Sequence, residues 1–318
     1  MYYTPAMTQT STESSVLRIG SRGSPLALVQ AREVQSRLAA ACGLPAERIE
    51  IKTIRTSGDL IQESLAEAGG KGLFTKEIEE ALLAGAIDLA VHSSKDMPIV
   101  LPAGLVLSAF LPREDARDVF VGRKAKMLQD LPNGAVVGTA SPRRQALVKR
   151  LRPDLAIVPL RGNVETRLRK IEAGDADATV LALAGLKRLG LAAAASAIFD
   201  IEEFLPAVGQ GAIGIETRAD DSRTHALVAA IDDPDTATAL AAERAFLAVL
   251  DGTCRTPIAG HAQVSGGMVR FRGLIAKIDG SAALEVSREG RRADAAALGA
   301  DAGRELKGRA GPGFFARD

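Results

Sequence analysis

The sequence predicts two similar α/β lobes followed by a small α+β domain built on an antiparallel sheet. Three observations point there. The chain has 318 residues, room for two or three domains at roughly 150 residues each. A strand, a glycine-bearing turn and a Ser-Pro helix start occur at Ser24-Pro25 and return 117 positions later at Ser141-Pro142. Beyond about residue 230 this plan gives way to strand-like runs joined by Gly266-Gly267 and Asp279-Gly280, which suit tight hairpins. The composition, 47% apolar and 25% charged, is that of a globular chain.

Val16, Leu17 and Ile19 open a short strand, and the loop Gly20 to Gly23 delivers it to Ser24-Pro25. Serine at an N-cap with proline in the first turn is a strong helix start. That helix runs to about Ala41 and stops at Gly43 with Pro45. A second strand covers Ile49 to Ile54. A glycine-rich segment, Ala68 to Phe74, then precedes a helix with Ile78, Leu82 and Leu83 on one face, ended by Gly85. Leu89 to Val91 form a buried strand that delivers His92-Ser93-Ser94-Lys95-Asp96 at its carboxyl end. The second half repeats the plan: strand Ala135 to Val137, helix from Ser141-Pro142, a helix capped by Asn163 and closed at Ala173-Gly174, and strand Thr179 to Leu183. Alternating strands and helices imply mainly parallel sheets, whose ligands gather beyond the carboxyl ends of the strands. Both Ser-Pro loops and the Lys95-Asp96 pair fall there. An Ala-rich helix from about Thr236 to Leu250, strand-like runs at Ile258 to Val264, Met268 to Ile278 and Ala283 to Ser287, and a last helix over about Ala293 to Leu306 complete the chain.

Charge and cysteine usage narrow the chemistry. The formal net charge is +1, so no general field draws the molecule to nucleic acid or membrane, and any anion site must be local. No apolar run approaches the length of a membrane helix. Two cysteines make no disulfide framework, three scattered histidines offer no metal-ligand spacing, and a reducing, cytoplasmic setting fits. Residues 1–15 are polar and read as a floppy leader.

Between Thr139 and Lys170, nine basic residues stand against Asp154 and Glu165. Lys149, Arg150, Arg152, Arg169 and Lys170 read as a solvated face. Arg143 and Arg144 differ, because the first turn of a helix disfavours cations. Their presence there makes sense if an anion sits on the exposed amides and is gripped by the guanidiniums. Arg161 precedes the helix start at Asn163, Arg167 lies one turn inside it, and Arg22 occupies the matching loop of the first half. The inference is a cleft for several carboxylates or phosphates. Gly70-Lys71 lacks the spacing of a phosphate-binding P-loop, and no dinucleotide fingerprint follows the first strand. Gly69, Gly70 and Gly72 suit a mobile loop bringing Lys71 and Phe74 to a ligand, or simple flexibility. Asp96 is the acid best placed for catalysis, where a carboxylate among cations stays ionised; the alternative is a salt bridge with Lys95 and a capping role before Pro98. Cys254, in the tight loop Asp251 to Pro257 beside Arg255, reads as a reactive thiol or as an ordinary loop residue. Cys42 reads as packing.

These segments together closely resemble the porphobilinogen deaminase (hydroxymethylbilane synthase) family. The likeness is carried by Arg18 to Leu28, Gly69 to Phe74, Ala90 to Pro98, Val137 to Gln145, Leu160 to Val164, Ala184 to Gly190, Leu205 to Gly211 and the Cys254 loop. The resemblance implies two lobes like type II periplasmic binding proteins, at 16–110 with 207–230 and at 111–206, and a third domain at 231–318. It implies a transferase of tetrapyrrole and haem biosynthesis that adds four porphobilinogen units, each with loss of ammonia, to a covalent dipyrromethane cofactor held as a thioether on Cys254, and releases hydroxymethylbilane by hydrolysis. Each pyrrole bears an acetate and a propionate, which accounts for a cationic cleft. By motif position, Ser24, Lys95, Thr139, Ser141, Arg143, Arg144 and Arg167 would hold the cofactor; Arg22, Arg161, Arg167 and Arg188 would serve substrate or the growing chain. Asp96 would face the pyrrole N–H groups, stabilise the cation left when ammonia departs and assist proton movement. A monomer with no metal is expected. Glu67, Ala140 and Thr253 depart from common residues of the family. The competing reading is a non-catalytic anion or amino-acid sensor on the same two-lobed plan, which gives no reason for a third domain presenting Cys254.

Overall fold

The computed structural model describes residues 16–60, 75–252 and 256–315. The expectations placed on the leader, Glu67, Lys71, Phe74, Thr253 and Cys254 lie outside the described residues.

In the first lobe, β1 (Leu17–Arg22), α1 (Pro25–Cys42) and β2 (Ile49–Ile54) are followed by the short α2 (Ser57–Leu60), α3 (Lys76–Leu83), β3 (Leu89–Ser93) and β4 (Leu105–Phe110). The second lobe carries β5 (Asp118–Gly122), β6 (Val136–Gly138), α4 (Pro142–Leu151), β7 (Ala156–Val158), α5 (Val164–Ala173), β8 (Ala178–Ala182), α6 (Leu183–Arg188) and β9 (Ala197–Ile198). The chain then returns to the first sheet as β10 (Ile213–Arg218) and continues through α7 (Ser222–Val228) and α8 (Pro234–Val249). β11 (Ile258–Ser265), β12 (Met268–Ala276), β13 (Ala283–Arg291) and α9 (Ala295–Ala310) close it.

The capping chemistry behaves as the residues dictate. Ser24 Oγ accepts from the Ala27 amide and Ser141 Oγ from the Arg144 amide, each with proline in the first turn. Asn163 caps α5 through the Thr166 amide at 2.8 Å. Gly266 and Gly267 both take positive φ, 57° and 80°, the two-residue turn that joins β11 to β12 without disturbing their twist.

The two five-stranded sheets have one plan. Their orders, β2-β1-β3-β10-β4 and β7-β6-β8-β5-β9, match strand for strand. The expectation of mainly parallel sheets needs correction: the first three strands of each sheet are parallel, whereas β10 and β5 run against both of their neighbours. The reason is connectivity. β5 and β10 are each entered by a segment crossing from the other lobe, at 111–117 and 199–212, which arrives at the carboxyl edge of the parallel strands and must run back. Both crossings therefore border the cleft.

Apolar side chains cover each sheet on both sides. Leu17 and Ile19 of β1 pack with Ala31, Val34 and Leu38 of α1, and Ile78, Leu82 and Ile87 pack on the other face. Leu83, expected beside Ile78 and Leu82, is instead 50% exposed, since one residue further turns about 100° round the helix. In the third domain the rings of Phe246 and Phe271 meet at a tilt of 56°, with centres 5.0 Å apart. That domain also joins the second lobe's core, where Ala259 and Leu274 meet Phe199, Phe204 and Leu205.

Candidate active site

The site forms where the carboxyl ends of both sheets face each other. β3 ends at Ser93, whose hydroxyl bonds the side chain of Gln30 on α1 at 2.9 Å. The chain then makes one 3-10 turn over Ser94–Asp96, which the Ala212 carbonyl holds by accepting from the Ser94 amide at 3.0 Å. Behind the turn lies Gly209 at φ 73°, where a Cβ would stand 3.0 Å from the Lys95 nitrogen. Glycine is required there both for the backbone angle and for the close approach. The turn projects Lys95 and Asp96 side by side, both reached by solvent.

One cleft between the lobes is lined by Gln30, Lys95, Arg144, Arg167, Arg188 and Gly209, among others. Protein crowding around Lys95 lowers its pKa to about 8, with Asp96 opposing the shift and Arg144 adding to it. Burial likewise lowers Arg167 to about 10, reinforced by Arg144 and countered by Asp96. The charge of Asp96 thus acts on two cations from opposite lobes. Arg167 donates through Nε to the Gly162 carbonyl at 2.8 Å. Among the described residues, no carboxylate pairs with Arg167 or Lys95, and no group hydrogen bonds to the Asp96 carboxylate.

Arg143 and Arg144 already meet an anion inside the protein. The anion on which both converge is the protein's own Asp118, the first residue of β5 and fully buried. It accepts from Arg143 Nη1 at 2.7 Å, Arg144 Nε at 3.1 Å and Nη2 at 2.7 Å, and Gln210 Nε2 at 3.1 Å. Burial alone would raise the Asp118 pKa, but the two guanidiniums prevail and hold it at about 2. Arg143 points inward, donating also to the Leu205 carbonyl and lying over the Phe204 ring. Arg144 presents its edge to the cleft. Two arginines in the first turn of α4 are tolerated because Asp118 neutralises one charge inside the fold.

Of the remaining predicted positions, Arg188 lines the cleft, and the others stand at the element ends described next. Ser24 and Ser141 are N-caps whose hydroxyls accept an amide and keep a proton to donate. Thr139 is buried and accepts from the Ser141 amide at 3.2 Å. Arg22 ends β1, and Arg161 precedes α5; both are half-buried. Arg188, at the end of α6, donates to the Gly211 carbonyl at 3.0 Å. Sequence reasoning missed Asp118 and Gln210. The sequence signal that could have found Asp118 is an acid opening the apolar Val119-Phe120-Val121. Cys42 packs at the end of α1, its sulfur 3.7 Å from the Leu227 carbonyl. No group of three His, Cys, Asp or Glu residues able to hold a metal occurs among the described residues.

This donor set fits an acidic pyrrole oligomer. Lys95 and Arg167, which lack carboxylate partners among the described residues, suit acetates and propionates, and a solvent-facing acid beside Lys95 suits positive charge developing on a ring. The comparisons with known proteins agree. Residues 17–226 match the family model described as porphobilinogen deaminase, dipyromethane cofactor binding domain. Residues 237–308 match the model of the porphobilinogen deaminase C-terminal domain. The chain is 65% identical to the porphobilinogen deaminase of Nitrobacter winogradskyi over 309 residues, covering 96% of this chain and 98% of that one. It is 64% identical to the porphobilinogen deaminase of Nitrobacter hamburgensis over the same shares. Among solved structures, an ABC transporter periplasmic substrate-binding protein from Coxiella burnetii aligns with TM-score 0.43 at 18% identity, over 70% of this chain and 94% of that one. A YaeC-family lipoprotein from Enterococcus faecalis aligns with TM-score 0.40 at 15% identity, over 70% and 93%. The chain belongs to the porphobilinogen deaminase family.

Proposed function

We propose that the cleft described above is where this chain carries out its family's transferase reaction, with Asp96 as the catalytic residue and Cys254 as the attachment point. Four porphobilinogen units are joined head to tail with loss of ammonia, and water releases hydroxymethylbilane. The dipyrromethane supplies the pyrrole carbon on which the product grows, together with acetate and propionate groups for the cleft to grip.

Lys95, Arg143, Arg144 and Arg167, with the hydroxyls of Ser24, Thr139 and Ser141, hold those carboxylates, Arg143 and Arg144 while seated on Asp118. Arg22, Arg161, Arg167 and Arg188 receive the carboxylates of incoming substrate. Asp96 lowers the barrier by opposing the positive charge left on the substrate ring as ammonia departs, and it accepts the proton lost from the reacting carbon. Its two oxygens are uncommitted among the described residues, which suits both tasks. The observation that carries this reading is a single cleft in which Lys95 of the first lobe meets Arg144, Arg167 and Arg188 of the second, with Asp96 next to Lys95 on the same turn.

We place the lobes at 16–110 with 207–230 and at 111–206, and the third domain at 231–318. We also read the protein as a cytoplasmic monomer acting on a small molecule, without nucleic-acid or membrane partners. The near-neutral charge supports the lack of a nucleic-acid or anionic-membrane partner; no described helix is long and apolar enough to cross a membrane.

Intact-protein mass tests the assignment: a covalent pyrrole adduct is expected, and it is lost in Cys254→Ala. A bare chain mass in active, folded protein overturns it. Asp96→Asn keeps the shape and removes the charge; turnover falls about 10²–10⁴-fold, whereas a near-normal rate removes Asp96 from the mechanism.

A further inference from the structure

Arg188 reaches out of the second lobe toward the first. Its Nε lies 3.6 Å from Oε2 of Glu33 on α1, while its Nη2 is fixed on Gly211. The two helices meet here: a Cβ at Gly185 of α6 would lie 3.7 Å from Leu26 of α1. The other oxygen of Glu33 is already held, since Oε1 accepts from Arg37 Nε at 3.3 Å and Nη2 at 3.2 Å. One carboxylate therefore divides itself between two arginines. Arg37, one turn along its own helix, is open to water, whereas Arg188 is 9% exposed and crosses the cleft. Burial depresses the Arg188 pKa, and Glu33 is the leading group that offsets it.

We infer that Glu33 is an internal carboxylate occupying Arg188 in place of the substrate's own, and that it sets the concentration at which the cleft fills. The inference rests on the proposed role of Arg188 in receiving substrate carboxylates. A second anion brought to Arg188 would lie within a few ångströms of Glu33, and like charges at that range repel. Entry therefore requires Glu33 to withdraw. Arg37 gives it somewhere to go: the charge released by Arg188 is retained by a guanidinium that is solvated and already bonded. The exchange of one carboxylate for another on Arg188 costs little net charge pairing, so the pair tunes affinity without blocking the site. Glu33 is accordingly a residue that tunes affinity for an acidic substrate, not a catalytic one.

Kinetics and calorimetry on the holoenzyme test this. Glu33→Gln is expected to lower KM for porphobilinogen about threefold, the scale of a partly exposed ion pair, with kcat within about twofold of the parent. The Kd of an unreactive pyrrole bearing one acetate and one propionate should tighten by the same factor. Arg37→Ala, which leaves Glu33 to Arg188 alone, should move both quantities the other way. In an Arg188→Leu background the Glu33→Gln effect should vanish. If Arg188→Leu raises KM while Glu33→Gln leaves KM and Kd unchanged or raises them, Arg188 keeps its role and the inference about Glu33 fails. If Arg188→Leu leaves KM unchanged, the substrate role of Arg188 fails and takes the inference with it.

Discussion

Replacing Asp118 with asparagine probes the buried charge behind the cleft. The side chain is wholly buried and accepts four hydrogen bonds, from Arg143, Arg144 and Gln210. Asparagine preserves its outline but leaves two buried guanidiniums uncompensated and turns an NH2 toward donors. Breaking a buried pair in this way costs about 3–5 kcal/mol, against a domain stability of about 5–15 kcal/mol. At roughly 2–4 °C per kcal/mol for domains of this size, the melting midpoint falls on the order of 10 °C. Arg143→Met should cost less, because Asp118 keeps Arg144 and Gln210. Thermal melts followed by circular dichroism read the effect, and a loss below about 1 kcal/mol refutes the view that Asp118 is what lets α4 begin with two arginines. The same pair predicts an acid limb. The folded carboxylate is held at about 2 against an ordinary 3.8, so its contribution is complete above pH 3.8 and disappears as pH falls toward 2. That is worth about 2 kcal/mol, and the limb should be missing from Asp118→Asn.

Two further outcomes follow from the same geometry. Glu243 is buried and accepts from Arg113 at 2.5 and 3.2 Å, the Gly209 amide at 2.7 Å and the Ala262 amide at 2.8 Å, so it ties both interlobe crossings to the third domain. Glu243→Gln should lose about 3 kcal/mol in urea unfolding, and an unchanged midpoint would show that the crossings are secured elsewhere. Lys95 sheds its proton as pH rises through about 8, so its pull on a carboxylate weakens above that point and a bound carboxylate restores the proton. In the Cys254→Ser chain, the affinity for a dipyrromethane tetracarboxylate measured by calorimetry should fall through that range with proton uptake. A pH-independent affinity, or one unaltered by Lys95→Met, would remove Lys95 from the carboxylate grip.

Much of the site was legible in the sequence because its framing is local. The N-caps at Ser24, Ser141 and Asn163, the strand that delivers Lys95-Asp96 just past its end and the helix carrying Arg167 are each set by a few consecutive residues, and each forms as the pattern predicts. The failures share a cause as well. Leu83 was assigned to a buried face from apolarity alone, and the two sheets were expected to be mainly parallel because nothing in β5 or β10 records the edge from which a crossing chain enters.

Taken alone, the sequence determined the helix starts and stops, the duplicated strand-helix plan, the local excess of positive charge and the family. Tertiary structure alone decided which of those charges are spent inside the fold and which remain for a ligand. Asp118 claims Arg143 and half of Arg144, Glu33 claims part of Arg188 from the opposite lobe, and Lys95 and Arg167 are left without carboxylate partners among the described residues. The physical reason is range: capping and periodicity act within one turn of backbone, whereas the partner of a charge is chosen by whatever remote segment the fold brings within about 4 Å, where Coulomb attraction and desolvation are both large.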